Sequence, residues 1–549
     1  MTSRALVPLA AATATAIALA LAACSSNGGG ANGPAPPSDD AGADAGNDAA
    51  PDAPDDAPPA ADWTLTYDPS STAGPLPATL LGQYDLSGAL FHYDQQAPLI
   101  PLMKAAGFSE WRVGLGRWEG LTQLLPTLTD GTSCAQTLAG LPKEAQAPGG
   151  TTDLDLIQAR DWFTYTDGSP VTMAMTGDDT RYRLDYVRSV LDVADRFGAA
   201  PYFDVDLMPR ALAANQTPTR TTAEWGDACG WTWTNEVSNV AAADPDVFAA
   251  AIAGMVRRLI EGSGGQPGRP LHYLEFWNEP ELGYAWNPHV ADFQTYLATA
   301  VKVLGALDAY RKQTANADGK AIKIGLGSFA VSATAATMLT AFPGPFDFVS
   351  FHLESSDDPL AMVASVQAVA AARKASSHPD AELLLTEWGY DISGSKLDPR
   401  TMDVALHHAT LLALGAPYLT HAHHALFWDW YDVPDYPYAF IHHDFTPKPA
   451  YYVFTLLAKL IGGGASRLEA AGFSDGKLDG GMGAVLAGKG GDGVVRVLIV
   501  NRNATARTAT VGAVPKSVTV FDDPAKPPRG VAPSQVVQVP PRSIVLVER

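Results

Sequence analysis

Between residues 80 and 460 the chain alternates short apolar runs with longer stretches of helical period, and eight such runs follow one another. The strand-like runs lie at 80–86, 110–115, 201–206, 271–277, 322–328, 346–352, 382–387 and 424–430. Helical patterns at 97–106, 182–197, 245–260, 291–310, 359–375 and 400–414 separate them. Eight strands in series with intervening helices favour a closed (β/α)8 TIM barrel over an open doubly wound sheet. Gly114-Leu115-Gly116 lacks the third glycine of a dinucleotide fingerprint. Past residue 465 the pattern changes to short β-branched runs broken by Gly, Pro, Asn and Asp, which predicts a C-terminal β-sandwich with 63–67 as a candidate edge strand.

The ends of the chain divide further. Arg4, an apolar run over 5–20 and the closing Leu21-Ala22-Ala23-Cys24 read as a signal peptide of residues 1–23. The closing run resembles a bacterial lipobox, which implies cleavage before Cys24 and lipidation of that cysteine; the alternative is an ordinary signal peptide with a chance cysteine. Ser25 in place of an aspartate points to the outer membrane or cell surface. Residues 24–61 are almost all Ala, Asp, Pro, Gly, Ser and Asn, which cannot bury enough surface to offset their ordering entropy, so they read as a disordered acidic tether. The expected domains are then a barrel over 62–462 and a sandwich over 463–549.

Charge narrows the partners. A formal net charge of −22 leaves no basic surface for phosphates, which argues against nucleic acid and favours a neutral or weakly charged substrate. Membrane contact is expected through the N-terminal lipid alone, and the sequence leaves the oligomeric state open. Cys134 and Cys229 each fall in a long connection on the C-terminal side of the barrel, at 119–180 and 207–245. In an oxidising compartment they either pair across the cleft or remain two free thiols.

Two strands end in glutamates. Leu274-Glu275-Phe276-Trp277-Asn278-Glu279-Pro280 closes the fourth strand and Leu385-Thr386-Glu387-Trp388 the seventh. A carboxylate placed after an apolar strand needs a physical reason, and the C-terminal rim of a barrel provides one. Pro280 biases Glu279 away from the helical region, so the strand turns there and presents the side chain. Glu279 suits a general acid and Glu387 an ionised nucleophile, the two carboxyls of a glycosidase. Arg112, on the second strand, is the expected cation for Glu387. Asn278 could donate to a sugar hydroxyl. Trp286, Trp388, Trp428, Trp430 and Tyr431 are candidate platforms for sugar rings, with Trp428 the choice for stacking at the cleaved residue.

Asn-Glu-Pro after strand four and Thr-Glu-Trp after strand seven resemble the signature of clan A retaining glycoside hydrolases. The runs 274–282, 347–352 and 447–452 more narrowly resemble glycoside hydrolase family 39, the β-xylosidases and α-L-iduronidases. The resemblance implies Glu279 as acid/base, Glu387 as nucleophile, Asn278 on the 2-hydroxyl and His352 near the nucleophile or the reacting sugar. Leu353-Glu354-Ser355 departs from it, with no tyrosine where many clan members keep one. Other readings are an endo-acting glucanase of the same clan and a non-catalytic glycan-binding surface lipoprotein on the same barrel. Seven of twelve histidines fall between 407 and 443, where a zinc site is conceivable. With no His-Glu-x-x-His or Cys-x-x-Cys run, the expectation is no metal and no cofactor, and histidines on helix surfaces and at the rim, one or two reaching sugar hydroxyls.

Overall fold

A computed structural model describes residues 61–84, 93–115, 185–205, 241–282, 293–390, 395–425 and 441–549, apart from Gly264, Ser355, His443, Gly463 and 472–475. Cys24, Cys134, Cys229, Trp286, Trp428, Trp430 and Tyr431 lie outside the described residues. Trp63–Arg549 form one compact unit.

Eight parallel strands close into a barrel: Gly82–Tyr84, Glu110–Leu115, Ala200–Val205, Tyr273–Phe276, Lys323–Phe329, Phe348–Leu353, Glu382–Trp388 and His421–Ala425. Each pairs with its sequence neighbour, and the eighth returns to the first through His423 opposite Gly82. A side chain on Gly82 would collide with the His423 ring, so glycine lets these two strands meet. Inward-facing residues are Tyr202, Tyr273, Phe348 and Leu384, which form a packed core cluster.

The helices begin where local chemistry favours it. Asp244 and Asp358 each cap a helix by accepting from backbone N–H groups, and Pro245 and Pro359 take the first helical positions, where no donor is needed. The helix Ser332–Ala341 gave little sequence signal because its Ala/Thr composition carries almost no apolar stripe. Among the described residues no helix is long and apolar enough to cross a membrane.

Two expectations change. The eighth strand starts at His421 and not at 424, and is described as His421–Ala425, because its histidines are satisfied by internal partners and so enter the barrel despite their polarity; residues 426–430 lie outside the described residues. The barrel starts at Gly82 and not at 62. Residues Thr66–Leu76 pair with Ala465–Ala471 in the large antiparallel sheet, and Trp63–Thr64 pair with Arg507–Thr510 in a three-stranded one. The two sheets enclose a valine-rich core that takes in Trp63 and Leu65, and burial of those side chains ties the N-terminal segment to the sandwich. The sandwich packs on the helices Met402–Gly415 and Pro449–Ile461, with Tyr452 against Phe521 at 5.4 Å between ring centroids.

Candidate active site

Arg112 occupies the centre of the barrel, fully buried, and each of its three nitrogens has a partner. Its Nε donates to Glu275 at 2.5 Å and its Nη1 to Glu387 at 2.8 Å. Its Nη2 donates to Asp204 at 2.8 Å, to Asn278 at 3.0 Å and to the Ser328 hydroxyl at 2.6 Å. The planar fork with five N–H groups is the side chain able to serve so many acceptors at once. Tyr84 lies under the guanidinium, 4.4 Å from ring centroid to Cζ. Glu275 also accepts from Tyr202 at 2.8 Å, Ser350 at 2.5 Å and Ser328 at 2.9 Å, so four partners satisfy a fully buried carboxylate.

Above this hub lie the two strand-end glutamates. His352 stands between them: Nδ1 is 2.9 Å from Glu279 Oε1, and Nε2 is 3.6 Å from Glu387 Oε1. Trp277 and Glu279 both take positive φ, 76° and 47°, a strained choice for bulky residues. Glu279 stays out of the right-handed helical region before Pro280 and the strand turns there, in the left-handed region. Hydrogen bonds from Trp277 N to Val205 O at 3.0 Å and from Glu279 N to Ser328 O at 2.8 Å hold the turn to its neighbouring strands. Asn278 gives its Oδ1 to Arg112, which leaves Nδ2 as its donor.

Burial and mutual charge shift the proton affinities of this group. Burial raises the Glu387 carboxyl, against the opposing charges of His352 and Arg112. Burial alone would depress His352, but the charge of Glu387 and the hydrogen bond to Glu279 outweigh it and push the imidazole up to about 9. Glu354, just past the end of the His352 strand, is a third carboxyl close enough to feel the charges of Glu387 and Glu279. Burial first, then the negative charge of Glu387, push it up to about 8. Burial likewise lifts Glu281 to about 7, though its Oε1 accepts from Val331 N at 2.9 Å.

These shifts predict a stability profile. A folded-state pKa above the unfolded one means stability present at low pH and lost as pH rises: from 4.5 through about 8 for Glu354, and from 6.5 through about 9 for His352. Thermal melts from pH 7 to 9 should therefore show a falling Tm, with a shallower fall in Glu354→Gln. A wild-type Tm that is flat or rising across that window would remove the basis of this assignment.

Other residues sit elsewhere than the sequence suggested. Trp388 is not in the cleft; it points outward under the helices, fully buried against His408, His424 and Phe454. Within the stretch 407–443, His407, His408, His421, His423 and His424 are buried and not helix-surface groups. His408 and His424 share a hydrogen bond of 2.8 Å between barrel and helix. His421 and His423 both contact Glu110 Oε2, at 2.5 and 2.7 Å, at the strand ends opposite the two glutamates. Those imidazoles outweigh burial and hold the Glu110 carboxyl down to about 2. This trio offers donor types that a metal accepts, all within 4.8 Å. Ligands about 2.0–2.1 Å from a tetrahedral ion would stand roughly 3.3 Å apart, so the shorter contacts are those of hydrogen bonds.

Asp204, Glu275, Ser328, Tyr84, Glu281 and Glu354 were assigned no role from the sequence. The signal for the first two was present: each is an acid inside an apolar strand run, the same anomaly that singles out Glu279 and Glu387.

No family model and no curated protein matches the chain. Solved structures do. A family 39 β-xylosidase from Caulobacter crescentus aligns with a TM-score of 0.57 at 17% identity, covering 88% of this chain and 99% of that one. A family 51 arabinofuranosidase from Xanthomonas axonopodis pv. citri gives 0.53 at 13% identity, covering 89% and 100%. A family 30 endoxylanase from Clostridium papyrosolvens gives 0.51 at 12%, covering 88% and 99%. Two strand-end glutamates on one barrel rim, a buried arginine beneath them and a β-sandwich against the barrel thus belong to a chain with the fold of glycoside hydrolases of families 39, 51 and 30.

Proposed function

We propose that the protein is a retaining glycoside hydrolase in which Glu387 is the nucleophile and Glu279 the acid/base. The observation that carries the reading is the His352 ring spanning the two carboxyl groups at the ends of strands four and seven, with Arg112 bonded to one of them. In the first step a Glu387 oxygen attacks the anomeric carbon while Glu279 protonates the departing oxygen, which leaves a glycosyl ester. In the second step Glu279 takes a proton from water, the water oxygen attacks the same carbon, and Glu387 is released with net retention. Arg112 favours the charged form of Glu387 against burial, and Asn278 Nδ2 is placed to donate to a substrate hydroxyl. His352, Glu354 and Glu387 shift one another's proton affinity, so a bell-shaped pH–rate profile reports the cluster and not one residue.

The substrate class is carbohydrate. Similar structures include xylosidase, arabinofuranosidase and endoxylanase, which makes aryl xylosides and arabinofuranosides the first compounds to screen. NMR of the first-formed product should show the anomeric configuration of the substrate; an inverted product would overturn the double displacement. Glu279→Gln should slow hydrolysis by about 10²–10⁴-fold, less for substrates with good leaving groups because these need no proton. Equal losses across a leaving-group series would remove Glu279 from the acid role. The proposal includes export and lipid anchoring through Cys24, supported by the run 21–24. An intact mass of the membrane-extracted protein that lacks a lipid on Cys24 would defeat it.

A further inference from the structure

The turn that carries Glu279 is strained, and its surroundings must hold it. Trp277 and Glu279 both take positive φ, a conformation that persists in bulky residues only where neighbouring contacts over-determine it. Glu279 O accepts from Leu282 N at 2.9 Å, which closes a turn with Pro280 and Glu281 in its two central positions. Proline suits the first of these because its φ is already fixed. From the second, Glu281 sends its side chain to the segment after strand five, where Oε1 accepts from Val331 N at 2.9 Å.

Val331 is the N-cap of the helix Ser332–Ala341, and its own side chain offers no cap. In a capping box the N-cap N–H is taken by a glutamate or glutamine three positions on; here that position is Thr334. Glu281 makes the same contact from 50 residues earlier. The backbone bond from Glu279 N to Ser328 O, at 2.8 Å, joins the same two segments. The acid/base turn is thus tied to the exit of strand five at two points, one through the backbone of Glu279 itself and one through the Glu281 side chain. Burial pushes the Glu281 carboxyl up to about 7, so at mildly acidic pH it is a neutral acid. Its carbonyl oxygen then accepts from Val331 N as an amide oxygen would.

We propose that Glu281 is a positioning residue: by holding Val331 N it keeps the turn in the conformation that sets Glu279 2.9 Å from His352 Nδ1 and aims it at the departing oxygen. The proposal rests on the reading of Glu279 as acid/base, and Glu281 itself touches no reacting atom.

The test uses the full-length protein. Glu281→Met removes the acceptor at similar volume, Glu281→Ala removes it with less bulk, and Glu281→Gln keeps an oxygen at the same reach. In whichever of the first two folds, kcat/KM should fall by about 10²-fold for an alkyl glycoside, the scale of a small misplacement of a catalytic group. For a dinitrophenyl glycoside, whose departure needs no proton, the fall should stay under about threefold. Glu281→Gln should recover most of the loss. A residue that only caps the helix would lower Tm and leave the leaving-group dependence as in wild type. Crystal structures give a reading that needs no turnover: without the acceptor the Glu279–Ser328 or the Glu279–His352 contact should be lost, and with glutamine both should remain. An unchanged turn in the methionine and alanine variants, equal losses across the leaving-group series, or a glutamine variant no better than alanine would each overturn the inference. A wild type inactive on every glycoside, together with a turn rearranged in Glu281→Ala, would count against the glycosidase reading while supporting the tie.

Discussion

Glu387→Ala should lower turnover of an aryl glycoside by about 10⁴–10⁶-fold, the scale seen when a covalent nucleophile is deleted from an enzyme that keeps its binding groups. The residue meets the demands on a nucleophile. It ends a strand, its side chain is 13% exposed, and Arg112 Nη1 holds one oxygen at 2.8 Å. Removing the carboxylate leaves space on the face from which the anomeric carbon is attacked. Added azide or formate should therefore restore turnover of an activated substrate, and azide should yield a glycosyl azide of inverted configuration. The fold should survive, because Arg112 keeps Glu275 and Asp204 as partners. A well-folded Glu387→Ala protein that still hydrolyses at the wild-type rate would end the assignment of Glu387 as the nucleophile. Rescue with retained configuration would move the nucleophile to another residue.

Arg112→Met should cost about 3–5 kcal/mol of stability, the usual scale when one partner of a buried ion cluster is removed. The substitution conserves volume well, so packing contributes little. The loss is electrostatic: Glu275 and Asp204 are both 0% exposed and would face each other without a cation. Coupling tests that origin. Adding Glu275→Gln and Asp204→Asn to Arg112→Met should recover part of the loss, because the buried negative charges are gone. Arg112→Lys should fall between wild type and methionine, since an ammonium offers three donors where five acceptors wait. If Arg112→Met melts with wild type, or the neutralised triple variant is less stable than the single one, the hub is not electrostatic. Activity should also fall in every Arg112 variant, because Glu387 loses the group that fixes its oxygen.

The barrel was legible because its signal is local and repeated. Each strand is an apolar run of a few residues, and each helix carries its own period and often an Asp-Pro start, as at 244–245 and 358–359. The last strand was misplaced because apolar content guided the reading toward Trp428, while the observed strand carries His421, His423 and His424. Their polarity is acceptable only with Glu110 and His408 across from them, 311 and 16 residues away in sequence. Trp388 failed as a sugar platform for a related reason. Sequence shows an aromatic beside a glutamate, but the strand's alternation sends Trp388 toward the helices and Glu387 toward the cleft.

By itself the sequence determined the class of fold, the placement of Glu279 and Glu387 at two strand ends, and Arg112 as the cation able to reach one of them. Those properties follow from residue type and spacing along one chain. Only the tertiary structure decided that Arg112 serves five acceptors, that Glu275 and Asp204 belong beneath the site and that Glu354 joins its carboxyls. It also decided that the N-terminal segment runs as far as Leu76 along the sandwich, beyond the edge strand expected at 63–67, and that five histidines between 407 and 424 are internal. The reason is closure. A barrel brings residues hundreds of positions apart within hydrogen-bonding distance, and burial there sets their charge and partners in ways that no local run of sequence encodes.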